Sequence, residues 1–295
     1  MKHFIGGQAV IEGVMIRGGD HYITSVRRPD NTIAVEEKQL HNGSLMKFCK
    51  KIPCARGVFV LFEAMKIGIQ TLNFSANAIG EAEEKISGRE LALSFFIAIV
   101  FAIGVFVALP YYLSGLIVSY EKSLMFNFID GIIKILFFAL YVLIISFFKD
   151  IRRVFGYHGA EHKVVNAYES GVELNLENIN RFSTLHMRCG TNFIFLVLFI
   201  SMFFFVWIPG TLPVFWKISM RVLLIPLIAG VSYEIIRLFN KFPDNIILKT
   251  LVAPGLLLQF ITTRKPDDLQ IEIALNSVNL ILEKLNSTEK NKSNA

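Results

Sequence analysis

Four apolar stretches, Leu91–Val118, Ile132–Phe148, Phe193–Ile208 and Ile218–Phe239, run through the middle of the chain. A helix needs roughly 17–25 apolar residues to cross a hydrocarbon core of about 30 Å. In that medium backbone polar groups must be satisfied within the chain, so the stretches predict transmembrane helices. Composition agrees: 53% of the 295 residues are hydrophobic, 18% are charged, 27 are Phe, and the mean hydropathy is +0.51. Soluble domains average about 45–50% apolar and about 25% charged residues. An ordinary soluble enzyme and a disordered chain are both excluded.

The distribution of Lys and Arg sets the expected orientation. Twelve precede the first span, six lie between the second and third, seven follow Phe239, and each short turn within a pair holds one. The positive-inside rule therefore predicts a multi-pass membrane protein with both termini and the central loop cytoplasmic. The same flanks account for the net charge of +6 and the pI near 9.2, so no nucleic-acid partner is expected. Cys49, Cys54 and Cys189 lack any CxxC spacing, which indicates neither a disulfide framework nor a zinc knuckle. Met1 to Ile11 shows no charged segment followed by a long apolar run, so no cleaved signal peptide is expected.

Five regions follow. Residues 1–90 form a cytoplasmic α+β region. It opens with a three-stranded meander over Ala9–Arg17, His21–Arg28 and Thr32–Gln39, with turns at Gly18-Gly19-Asp20 and Pro29-Asp30-Asn31. A helix over Gly57–Ala78 carries Phe59, Phe62, Met65, Ile69 and Leu72 at spacings of three and four, a stripe suited to packing on protein or on the membrane surface, with protein the expected cover. Residues 91–148 and 193–239 are transmembrane hairpins, with Lys134 snorkelling from the second span. Residues 149–192 form a cytoplasmic loop. In residues 240–295, Ile246–Ile261 is too short to span and is broken at Pro254-Gly255, which predicts a re-entrant or interfacial segment. An amphipathic helix then places Ile271, Leu275, Val278, Leu282 and Leu285 on one face behind Asp267 and Asp268, and the tail from Asn286 frays. The fold class is a predominantly α-helical integral membrane protein with four spans and a cytoplasmic α+β part.

The chemistry concentrates in the central loop. Tyr157-His158-Gly159-Ala160-Glu161-His162-Lys163 contains H-x-x-E-H, and Gly171 suits the end of its helix. Positions four apart stack on one face, so His158 and His162 can offer two imidazoles to one ion. Glu161 lies beside that face, where a general base could take a proton from water activated by the ion, as in the inverted zinc-peptidase motif. Leu185-His186-Met187-Arg188-Cys189-Gly190-Thr191 supplies two candidates for a third ligand, His186 and Cys189. Arg188, with a helix start capped by Thr191 or Asn192, could hold an anion or a developing oxyanion. Two histidines at ligand spacing beside a carboxylate favour a metal site over ordinary surface or core histidines, while Cys189 alone fits a buried thiol equally well. The expected cofactor is a divalent transition metal, zinc first, with iron or manganese as alternatives.

Two further carboxylates stand out. Glu12, within Gly6-Gly7-Gln8-Ala9-Val10-Ile11-Glu12-Gly13, interrupts an apolar strand, although a solvent-facing strand residue explains it as simply. Glu234 lies inside the fourth span, and pairing with Arg237 is its plain explanation.

The stretches GGQAVIEGVMIRG (6–18), YHGAEHKVVNAYE (157–169), LHMRCGTNF (185–193), AGVSYEIIR (229–237) and PGLLLQFITTRKPDD (254–268) resemble the bacterial YqhQ-like proteins, domain of unknown function 1385. The resemblance implies a predicted metal-dependent membrane protein and carries Glu12, His158, Glu161, His162, His186, Arg188 and Cys189 over as the pattern residues. Met187 stands where the family has proline.

The leading expectation is a metal-dependent hydrolase acting at the cytoplasmic membrane face on an amphiphilic or membrane-tethered substrate, a protein substrate included. His158, His162 and His186 bind the ion, with Cys189 a further candidate ligand, Glu161 activates water, Arg188 stabilises negative charge and Glu12 supports the site or faces substrate. The rival is a scaffold or assembly factor with a structural metal closed by four protein ligands, and a transporter ranks third because the spans offer few deep polar residues. Partners beyond the lipid bilayer would be a second copy or another membrane protein.

Overall fold

The computed structural model describes residues 3–40, 49, 51–80, 88–120, 123–242 and 244–293. It is mostly helical, with a small antiparallel sheet at its start. The sheet has four strands in chain order, β1 (Ile5–Val10), β2 (Gly13–Gly18), β3 (His21–Arg27) and β4 (Ile33–Gln39). The meander predicted three strands, the first running through Ala9–Arg17. That run is instead broken by a two-residue turn, with Val10 paired to Gly13 and Glu12 in the left-handed region at φ 52°. Apolar alternation continues across the turn, which is why the pattern reads as one strand.

The pleat sends alternate residues to opposite faces, and each face has its own cover. Ile5, Val14, Ile16 and Ile23 pack against α5 (Lys149–Ser170) and α10 (Asp268–Ser293), burying Tyr157, Ala160, Val164, Ile271, Val278 and Ile281 with them. The Ser277 hydroxyl donates to the Val14 carbonyl across this layer, at 2.9 Å. On the other face Met15 and Tyr22 meet Ile67 of α1 (Ala55–Ala78). Gln8 donates to the Thr71 hydroxyl there, and Tyr22 donates to Gln70. The buried side of α1 is small and polar, comprising Gly57, Glu63, Ile67, Thr71 and Ser75. Of the apolar stripe expected to pack on protein, Phe62, Met65 and Leu72 are exposed instead. The polar side finds specific partners in the sheet, and the stripe is left outward.

Among the described residues, three helices are long and apolar enough to cross a membrane: Phe96–Ile117, Leu124–Ile145 and Val214–Lys241. The first joins α2 (Gly88–Ile103) and α3 (Leu109–Ile117) through a π-helical turn at Gly104–Ala108, and the others are α4 (Ser123–Ile145) and α8 (Val214–Lys241). The stretch expected as a third span forms α7 (Gly190–Phe205), which has 16 residues. The segment expected to break at Pro254-Gly255 is one continuous helix, α9 (Ile246–Thr262), of 17 residues. Between α5 and α7 lies the short α6 (Leu176–Asn180). The C-terminal tail, expected to fray from Asn286, stays helical to Ser293, and its last two residues lie outside the described residues, as do two in the turn between α3 and α4.

Lys134 does not snorkel. It is buried and donates to Asp130 at 2.6 Å, one helical turn away on α4. Arg221 of α8 pairs with the same carboxylate and donates to Asn127 at 2.6 Å. Glu234 pairs with Arg56 at the start of α1 rather than with Arg237, and the Cys54 backbone N–H also donates to it.

Candidate metal centre

Helix α5 begins after Phe148 and stops at Gly171, whose left-handed backbone turns its N–H back to the Tyr168 carbonyl. Its buried middle turns carry His158, Glu161 and His162. Gly159 lets the segment after α9 come close, since a side chain there would begin 2.0 Å from the Arg264 carbonyl oxygen. That approach brings the Thr262 carbonyl to His158 Nδ1, at 2.8 Å. The Thr184 carbonyl reaches His162 Nδ1 at 2.5 Å. A carbonyl only accepts, so Nδ1 of each imidazole donates, and in the neutral ring that tautomer leaves the lone pair on Nε2. The Sγ of Cys189 lies 3.2 Å from His158 Nε2, and ligand atoms of His158, His162 and Cys189 all lie within 4.8 Å of one another. Zinc bound by two imidazoles and a thiolate needs ligand atoms about 3.3–3.8 Å apart, so a contraction of about 1 Å completes the set.

The loop that presents Thr184 is fixed from the same helix. Lys163 donates to the Asn180 and Phe182 carbonyls, both at 2.7 Å, and Asn166 donates to Ser183 and Leu185. Such orienting contacts fix the tautomer and direction of ligand rings. Burial pushes the Lys163 ammonium below its usual range, with the nearby Lys265 charge acting the same way. Lys163 and Asn166 anchor this loop, contacts that the sequence analysis did not identify, although both residues follow the H-x-x-E-H motif within about one helical turn.

Cys189 caps α7, its Sγ accepting the Thr191 N–H; the cap was expected at Thr191 or Asn192. Gln259 of α9 braces the turn before it, accepting from the His186 N–H and donating to the His186 carbonyl. Glu161 is buried, with a carboxylate oxygen 3.5 Å from His162 Nε2. Its Cγ lies 3.0 Å from where a side chain on Gly7 would begin, so β1 closes over it only because residue 7 is glycine.

His186 stands outside the three-residue set. Its ring centroid is 5.5 Å from that of His162, and its Nε2 faces Glu169 at 3.4 Å. Burial holds its imidazole pKa below the usual value, against the opposing charges of Glu161 and Cys189, which favours the neutral ring. Arg188 pairs with Glu169 and lies over the Phe4 ring. Burial lowers its pKa, opposed by Glu161. Glu12 is placed elsewhere: from its turn it pairs with Arg153 and accepts from the Tyr157 hydroxyl. Desolvation and the Glu12 charge together push the Tyr157 hydroxyl pKa well up.

His158, Glu161, His162, His186, Arg188 and Cys189 line one cavity of about 400 Å³, together with Ile5, Gly6, Gly7 and Gln8 of β1 and Ile236 and Asn240 of α8. The cavity therefore lies where the sheet, α5 and the helix bundle meet. His158, His162 and Cys189, with the buried Glu161 beside them and space in front, are a donor set whose chemistry would fit one borderline-soft divalent ion.

The comparisons with known proteins agree with the resemblance. "Uncharacterized protein YqhQ" of Bacillus subtilis (strain 168) is 37% identical over 294 residues, covering 94% of this chain and 92% of that protein. No solved structure matches. The family model described as "Protein of unknown function (DUF1385)" matches residues 52–284, and the chain belongs to that family.

Proposed function

We propose that this membrane protein is a metal-dependent hydrolase. The observation that carries the reading is that two imidazoles each donate from Nδ1 to a backbone carbonyl, with His158 Nε2 at 3.2 Å from the Cys189 sulfur and His162 Nε2 at 3.5 Å from the buried Glu161, and that the ligand atoms of His158, His162 and Cys189 lie within 4.8 Å of one another. A zinc-like ion held there would polarise a substrate carbonyl and increase the acidity of water. Glu161 would take the proton from that water. Arg188, engaged by Glu169 at the cavity wall, would favour negatively charged groups nearby. His186 supports a second reading, a structural metal, because a ring 5.5 Å from His162 needs only a local shift to close the coordination.

The topology belongs to the same proposal. β1–β4, α5 and α10 share one core, so they lie on one side of the bilayer, and two crossings separate α1 from α5. With α7 and α8 as a second pair and α9 not crossing, the protein has four spans, and the Lys/Arg distribution puts the sheet in the cytoplasm. The outward Phe62, Met65 and Leu72 of α1 then rest on the membrane surface.

Glu161→Gln tests the chemistry because it keeps shape and removes the proton acceptor. The substituted protein should bind about one metal ion per chain and fold normally, yet fail to complement a deletion strain, since general-base catalysis contributes about 10²–10⁴-fold. Full complementation by metal-loaded Glu161→Gln protein would sink the hydrolase and favour the structural metal.

A further inference from the structure

We infer that the substrate is an extended polypeptide, added as a strand to the free edge of β1. This rests on the hydrolase reading and names its substrate class. β1 is the outermost strand, bonded only to β2. In an antiparallel pair, directly opposed residues alternate between bonding each other and turning their N–H and C=O groups away. Val10 and Gly13 close the two-residue turn as a bonded pair, so Gln8–Met15 and Gly6–Arg17 also bond, while Ile5, Gly7 and Ala9 point their main-chain groups outward. The residue two before Ile5 shows how this edge is satisfied where the fold covers it: the His3 N–H donates to the Tyr168 hydroxyl, which donates back to the His3 carbonyl, both at 3.1 Å. Among the described residues, no such partner takes up Ile5 and Gly7.

Both residues line the cavity that holds the ligand cluster, Ile5 buried and Gly7 exposed. Gly6 and Gly7 are exposed, and a side chain on Gly6 would meet nothing within 4 Å, so the edge presents bare backbone. Unpaired strand edges are normally blunted by charge, proline or a covering element. Here the edge is left open beside Glu161. A strand paired to it lies about 4.8 Å from β1, with alternating donors and acceptors that match those of Ile5 and Gly7. Lipids and sugars do not carry that alternation. A peptide carbonyl held opposite Gly7 is next to the Glu161 carboxylate and the three ligands. Water then adds to the carbonyl carbon and the C–N bond breaks. Glu161 takes the proton from the water and returns it to the departing amine.

The test uses full-length, metal-loaded Glu161→Gln protein in lipid nanodiscs, so that bound peptide is not consumed. The probe is a pool of unstructured decapeptides, and the control is the same pool with N-methylated backbone amides. Residue-resolved hydrogen exchange should show the Gly7 amide slowed about tenfold or more by the ordinary pool, with Gly6 and Gln8 already slow and little changed. The N-methylated pool should leave Gly7 unaffected. Unchanged Gly7 exchange with metal bound, or equal slowing by both pools, overturns strand addition and leaves the hydrolase standing. Slowing that appears without peptide and grows with protein concentration also overturns it, assigning the edge to a second copy. Slowing by the ordinary pool alone in a protein that never binds metal would support strand addition and remove the hydrolase.

Discussion

Helix α7 carries a buried polar cluster at each end, and the two differ in what their groups do for one another. At its start, ligand atoms of Cys189, His158 and His162 lie within 4.8 Å of one another, and Arg188, which lines the same cavity, is engaged by Glu169. At its end, about 24 Å away along the helix axis, the Phe205 ring lies 4.6 Å from the Lys134 ammonium and 4.7 Å from the Arg221 guanidinium, both paired with Asp130. The second cluster holds its own counter-charge; the first is arranged to receive one. A buried ion pair locks helices α4 and α8 together, whereas a converging set of lone pairs gains nothing until an ion arrives.

The sharpest way to break this contrast is to remove a ligand. His162→Ala should take metal content from about one ion per chain to none, while His186→Ala should retain it, as measured by elemental analysis of purified protein. Metal loss in His186→Ala with retention in Cys189→Ala would move the third ligand from 189 to 186. The next largest effect lies at the other end of α7. Asp130→Ala leaves Lys134 and Arg221 buried without their carboxylate and should cost about 3–5 kcal/mol, read as a large fall in thermal stability with metal content per folded chain unchanged. If His162→Ala destabilises as much as Asp130→Ala, the metal is structural and the contrast fails.

Placement across the bilayer sharpens the comparison further. In intact cells lacking the native cysteines, an impermeant thiol reagent should label cysteine at Thr211, beyond the Phe205 end, and leave cysteine at Glu177 unlabelled. Labelling at Glu177 would invert the topology. The smallest effect belongs to Glu12. Its pairing with half-exposed Arg153 is the kind of contact that contributes about 1 kcal/mol or less. Glu12→Gln should therefore shift melting slightly and leave metal binding intact.

What could be read from the residues alone follows the range of the interactions involved. The i, i+4 spacing of His158 and His162 is local, and a helix brings it together without help from elsewhere. The apolar stretches are equally local, and the helix over Gly57–Ala78 appears almost where its periodicity puts it. His186 was the expected third ligand, yet the group with His158 and His162 contains Cys189 instead, because the turn that carries both is braced by Gln259 from another helix. Arg56 as partner of Glu234 and Arg221 as partner of Asp130 are 178 and 91 residues away in the chain. Glu12 misled for a different reason: apolar residues continue on both sides of a tight turn, and only its positive φ separates the two strands.

The core joining the sheet to α5 and α10 also fixes an order of events. The strands are synthesised first, yet Ile16 and Gly18 are covered by Ile281 and Leu285 of the last helix. That face of the sheet stays unfilled until α10, the last helix in chain order, has been synthesised and packs on it. His158 and Glu161 sit on the helix between those two partners, so the centre is assembled only after the membrane domain is complete. A chain stalled partway through insertion would carry the H-x-x-E-H sequence without the surroundings that orient it, and the fold thereby withholds the site from unfinished protein.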